Sequence, residues 1–141
     1  MADYQAIADA IAARYATIAG VQVATASPPN VLPATPAVVV WPIEGSVTFQ
    51  GGRMLGEHDY RVALYHDRAA GDLATYMPAL VGYIAPCLTA LTGQAKLGLA
   101  EVAKALVTNW QMATLTYGGV EFVGLQITVR VWTEEQVALT P

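Results

Sequence analysis

This sequence is short of charge. Of its 141 residues only 13% are Asp, Glu, Lys or Arg, while 55% are hydrophobic; ordinary soluble domains carry about 25% charged residues. Alanine inflates the hydrophobic fraction, but so little charge still leaves surplus apolar surface for neighbouring subunits to cover. The seven cations, Arg14, Arg53, Arg61, Arg68, Lys96, Lys104 and Arg130, never stand side by side, and the net charge is −4. A nucleic-acid-binding face needs clustered cations, so that class is disfavoured. The single cysteine, Cys87, excludes an internal disulfide, and in an apolar helical stretch it reads as a small core residue. No window reaches the roughly 18 unbroken apolar residues of a membrane span, and Pro78, Gly82 and Pro86 interrupt the best candidate. Asp3 and Asp9 stand where a secretory signal would carry basic residues, so no such signal is expected.

Catalytic vocabulary is equally sparse. The chain has two serines; Ser27 is wedged before Pro28, and Ser46 lacks the flanking glycines of a nucleophile elbow. Gly51 and Gly56 are spaced like the glycines of a phosphate-cradling loop, but Glu57 follows where phosphate needs a cation. The two histidines, His58 and His66, fall eight residues apart on one strand face. That is about 27 Å, too far to share a metal held at about 2 Å. Each reads as a partly buried imidazole bonded to a neighbour. Neither a catalytic residue nor a metal or cofactor ligand is predicted.

What the sequence does carry is strand periodicity. From Val120 to Trp132 the odd positions Val123, Leu125, Ile127, Val129 and Val131 are apolar, and the even positions Gln126, Thr128 and Arg130 are polar. Such alternation predicts a half-buried strand. Gly118-Gly119 precedes it and favours a tight turn, so Asn109–Tyr117 is expected to pair antiparallel with Val120–Trp132. Asp3 is positioned to cap a helix with the stripe Tyr4, Ile7, Ala8, Ile11, Tyr15 and Ile18, and Gly20 suits its end. A short strand at 21–25 leads into a proline-rich connection. Ala37–Trp41 follows as a buried strand, with Trp41 read as core or sheet-edge packing, and Pro42 is expected to end its pairing.

Gln50-Gly51-Gly52 reads as a hairpin tip or flexible arm, with Thr48–Gly56 expected to stay mobile until docked. Glu57–His66 is a further strand, and Asp72 is a candidate cap for a short helix over 73–77. Pro78 is expected to start another helical segment, with Pro86 as a kink. Gly93–Gly98 reads as a loop, while 99–106 stays open between a helical turn and a lead-in to the hairpin. The outcome is one α+β domain over 1–141. It has an antiparallel-dominated sheet, helices packed on one face and a long C-terminal β-hairpin.

Taken in order, these segments resemble a known family. The residues that carry the likeness are Ile18–Val21 closing the first helix, Pro36–Pro42, His66–Leu73, and the closing Tyr117–Val131 run. Together they resemble the tail terminator proteins of long-tailed bacteriophages, especially the short forms of phages with non-contractile tails. The likeness spans nearly the whole chain in order and length, through fold signatures and not catalytic fingerprints.

The resemblance implies a structural virion protein with no catalysis and no cofactor. Such proteins form a ring, usually hexameric, that caps the tail tube, ends its polymerisation and meets the head-tail connector or stopper. DNA passes through the ring unbound, and no membrane is involved. The expected location is the neck of the virion, with the host cytoplasm during assembly. Gln50, Gly51, Gly52, Arg53 and Met54 are expected at an interface with an adjacent subunit or ring, and so is Trp132 on the mixed face of the last strand. The alternatives are another neck or tail tube component, or an enzyme or small-molecule-binding domain with a pocket near Trp41, Tyr60 and His66.

At −4 per chain, six copies would carry −24, so a channel through them is expected to be acidic or neutral, with any arginine in it paired. A titration with double-stranded DNA at about 0.15 M salt is expected to show no micromolar binding, since even non-specific binders reach roughly 10⁻⁴ to 10⁻⁶ M. Tight, steeply salt-dependent binding would instead mark a DNA-gripping component.

Overall fold

The computed structural model describes residues 2–69 and 73–137. Helix α1 (Tyr4–Tyr15) starts where Asp3 accepts hydrogen bonds from the amides of Gln5 and Ala6, at 3.1 and 3.0 Å. The cap satisfies two of the donors that a helix start leaves unpaired. Ile7, Ala8, Ile11 and Tyr15 of the expected stripe are buried, whereas Tyr4 at its N-terminal end is partly exposed. Gly20 follows in the left-handed region at φ 93°.

Strand β1 (Val23–Thr25) pairs parallel with Ala37–Val39 of β2 (Ala37–Gln50). Every other pairing is antiparallel: β2 with β3 (Arg53–Arg68), β3 with β5 (Val120–Gln136), and β5 with β4 (Val102–Tyr117). The sheet order is therefore β1-β2-β3-β5-β4. Both antiparallel hairpins turn on Gly-Gly, with φ of 58° and 77° at Gly51 and Gly52 and of 58° and 80° at Gly118 and Gly119. Two successive left-handed residues make a turn whose twist matches that of the strands. At roughly 3.3 Å per residue, β5 runs for about 55 Å.

One face of the sheet lies under the helices. Val38 and Val40 of β2, Tyr60, Val62 and Leu64 of β3, and Leu125, Ile127, Val129 and Val131 of β5 pack there with Ile7, Ile11 and Tyr15 of α1. Leu80 of α2 (Leu73–Val81) and Cys87 of α3 (Ile84–Thr89) complete this core. The Tyr15 hydroxyl donates to the Cys87 carbonyl at 2.8 Å, fixing α1 to α3. On the opposite face a smaller cluster is buried, Val39, Ala63, Tyr65, Leu115 and Phe122, with Leu32 of the proline-rich connection packed against it.

Several boundaries differ from the sequence expectations, for local reasons. Pro42 does not end β2; the strand continues to Gln50, with a register shift between Pro42 and Glu44. The missing donor is tolerated because β1 stops at Thr25 and leaves this part of β2 at the sheet edge. Trp41 is accordingly 38% exposed at that edge and not in the core. Pro78 lies inside α2, and the helical break falls at Gly82 and Tyr83. Pro86 is the third residue of α3, in a first turn whose amides have no intrahelical acceptor, so its ring interrupts nothing. Strand β4 starts at Val102, β5 ends at Gln136, and β3 spans Arg53–Arg68.

The stretch Thr48–Gly56, expected to be mobile, is paired throughout. Thr48 stands opposite Leu55 and Gln50 opposite Arg53, while Arg53–Gly56 also pairs with Thr133–Gln136 of β5. The amide of Val137 donates to the Gly52 carbonyl at 2.9 Å. The arm is thus a three-stranded extension of the sheet. The proposed cap Asp72 lies outside the described residues.

Close strand approach constrains Gly124. A methyl group built on it would fall on the carbonyl oxygen of Leu64 in the paired strand, well inside van der Waals contact. The obstacle is backbone, so it cannot rotate away. Replacing Gly124 with Ala is expected to destabilise the fold by about 1–3 kcal/mol, the range for overpacking a filled interior. Urea denaturation checks this: an unchanged midpoint would show that β3 and β5 sit farther apart.

Candidate functional site

Trp41, Tyr60 and His66, the residues of the candidate small-molecule pocket, do not converge. Tyr60 is fully buried and its hydroxyl donates to the Tyr4 carbonyl at 3.0 Å. Trp41 stands opposite Arg61, next to Tyr60 on the strand and hence on the other face of the sheet. His66 falls within the register shift between Tyr65 and Asp67 and packs edge-on against Tyr83, ring centres 5.6 Å apart. Among the described residues no group of three His, Cys, Asp or Glu side chains is placed to hold a metal. Cys87 is fully buried, and burial pushes its thiol up to about 12, so it stays protonated and unreactive at neutral pH.

A buried polar cluster lies where the arm meets the helical layer. His58, Thr133 and Glu135 are 7%, 3% and 5% exposed, and His58 Nε2 is 3.1 Å from the Thr133 hydroxyl. Gly45 and Gly56 flank the imidazole, and a side chain at either would overlap it. The Ala2 amide donates to Glu135 Oε1, and Glu135 Oε2 is buried without a partner. The Tyr4 ring meets His58 edge-on at 5.0 Å. A hydroxyl beside an imidazole is the start of a nucleophile–base pair, but this hydroxyl is too buried for a substrate to approach. The expectation of an imidazole bonded to a neighbour holds for His58. Alternation placed His58 on the same face as Tyr60 and Val62; Thr133 and Glu135 lay past the expected end of β5.

The helix-free face is polar and charge-balanced toward the arm. Register places Glu44, Glu57, Asp59 and Glu134 there together with Arg53, Arg61, Lys104 and Arg130. Arg130 grips Asp59 through two hydrogen bonds, at 2.9 and 3.2 Å, and Arg53 pairs with Glu134. Arg61 donates to Gln126 Oε1 at 2.7 Å, the same oxygen that takes the Gln111 amide at 2.8 Å. Trp132 donates from its indole to Glu57 at 3.2 Å, and the Lys104 ammonium lies 4.5 Å over its ring. Trp132 is therefore half-buried in a side-chain network that walls a groove of about 600 Å³, lined also by Ser46, Thr48 and Leu55.

The remaining interface candidates occupy the arm. Gln50, Gly51, Gly52 and Arg53 form its tip, with Met54 half-buried beside it. Trp41, Ile43, Val47 and Phe49 are exposed along β2, as are Leu106 and Trp110 along β4. These are the two long edges of the sheet; the sequence left Trp41 open between core and sheet edge because strand order is not written in it, and the structure puts it at the edge. No family model matches the chain, and neither does any curated protein.

Burial holds His58 below the ordinary histidine value, against the opposing pull of Glu135 and then Asp59. The unfolded imidazole therefore takes up a proton first as pH falls below about 6.5, and the folded state loses stability in that window. Burial lowers His66 as well, against the pull of Asp67, so the urea midpoint is expected to fall between pH 7 and 5, and His58→Gln to reduce that dependence. A variant with the same slope as the parent would show that His58 is not the group responsible.

Proposed function

We propose that this chain is a structural virion component of the tail-terminator kind. Copies form a ring, hexameric by analogy, that caps the phage tail tube, stops its polymerisation and meets the head-tail connector. The observation that supports this most directly is a sheet whose two outermost long strands both end in unpaired, apolar edges. Such edges are a liability in an isolated subunit and a joining surface in an assembly.

The two faces of the sheet fit the same role. The helices would lie outside the ring, and the helix-free face would line the channel. Toward the arm, four carboxylates and four cations balance there, so this part of the wall carries no net attraction for the phosphate backbone. Arg53 and Arg130 are held by carboxylates, and Arg61 by the amide oxygen of Gln126. In this role the protein catalyses nothing and works through shape, edge chemistry and charge balance. It would act in the virion neck after assembling in the host cytoplasm, in contact with the tail tube protein and the connector or stopper.

Cryo-electron microscopy of particles containing this chain tests the proposal. A closed ring of copies at the head-proximal end of the tail is the expected result. Stacked rings along the tail would make it a tube protein instead, and an isolated monomer without self-contact would overturn the ring altogether.

A further inference from the structure

We propose that the subunits join edge to edge and head to tail, the arm half of β2 in one copy pairing antiparallel with β4 of the next. This rests on the ring assembly proposed above and specifies its contact. The free stretch of β2 is defined by β1, which covers only Ala37–Val39. Beyond the register shift after Pro42, Glu44–Gln50 pairs regularly with β3 on one side only. On the far side of the sheet, among the described residues, β4 pairs only with β5, and its regular runs are Lys104–Val107 and Asn109–Tyr117. Each edge therefore presents a row of backbone donors and acceptors with no partner strand.

Three features select unlike edges over like ones. The first is direction. From β2 through β3 and β5 to β4 the chain reverses at each step, so β2 and β4 run oppositely. A second copy in the same orientation then continues the sheet with the same antiparallel alternation. The second is level. Pairing carries Glu44 across the sheet to Leu106, Ser46 to Lys104 and Val47 to Val102, so Glu44–Val47 lies abreast of the start of β4 and Thr48–Gln50 reaches past it.

The third feature is charge. Glu44 is the one charged residue of β2, and Lys104 is the one charged residue of β4. Joining β2 to β2 or β4 to β4 brings like charges to one seam, whereas β2 to β4 brings Glu44 to Lys104. The exposed apolar side chains follow the same division, with Ile43, Val47 and Phe49 on one edge and Leu106 and Trp110 on the other. A contact between two different patches is the kind that closes into rings when its rotation permits.

Two full-length variants, Ser46→Cys and Leu106→Cys, carry the test; both sites are exposed. Treated with a short bismaleimide, a mixture of the β2 and β4 variants is expected to give covalent dimers joining one of each, and neither variant alone is expected to react with itself. Glu44→Lys and Lys104→Glu are each expected to weaken self-association about two- to fivefold, the effect of an exposed ion pair, and the double reversal to restore it. Self-adducts of either single variant would show a two-fold contact and overturn the proposal. So would the absence of mixed adducts in free protein and in assembled particles alike. A ring seen in particles without mixed adducts refutes this contact while leaving the ring intact. Mixed adducts in open filaments would keep the contact and refute the terminator role.

Discussion

The antiparallel pairing of β3 with β5 is the contact on which the rest of the molecule depends. It runs from Arg53 opposite Gln136 to Arg68 opposite Phe122, so two strands distant in sequence are locked along their full length. β2 attaches to the outer side of β3 through one Gly-Gly turn, and β4 to the outer side of β5 through another. The side-chain period of a strand is two, so a one-residue register error here would turn the buried face of one central strand to the side where its partner is exposed. Gly124 marks how closely they approach, since the Leu64 carbonyl occupies the space where a side chain would begin.

That pairing makes the two faces chemically unlike. The odd positions of β5 join the even positions of β3 under α1, α2 and α3, and there burial of aliphatic side chains supplies the stabilisation. The other face is covered by the proline-rich connection only around Tyr65 and Phe122, and toward the arm it is left to ion pairs and hydrogen bonds. Exposed ion pairs contribute little to stability. The arrangement of Arg130 on Asp59 and Arg53 on Glu134 therefore bears more on what this surface attracts than on whether the chain folds. An evenly balanced face and two uncapped edges are the features that the proposed ring would use.

The candidate site was legible in part. Alternation along 57–66 placed His58 among the core-facing residues, and its burial beside Thr133 follows from that. Glu135 and Thr133 could not be foreseen as its neighbours, because β5 was expected to end at Trp132 and the Glu134-Glu135-Gln136 run looks like a polar tail. These residues stay in strand conformation because β3 supplies a pairing partner as far as Arg53. Similarly, the glycines at 51 and 52 looked like freedom, yet each takes a defined left-handed conformation. Strands on both sides of that turn hold it in a hairpin.

By itself the sequence determined the first helix and its cap, the turn at Gly118-Gly119, the two-sided character of β5, the buried Cys87 and the α+β class. All of these rest on spacing within a few residues, which the chain carries locally. Only the tertiary structure decided which strands lie outermost, that Pro42 continues an edge strand, that Trp41 is exposed, and that Glu44 and Lys104 occupy opposite rims. Strand order depends on contacts between segments tens of residues apart, and a residue at an edge has the same local sequence pattern as one in the middle. What differs is whether a neighbouring strand takes up its backbone hydrogen bonds, and that is settled only when the whole sheet has formed.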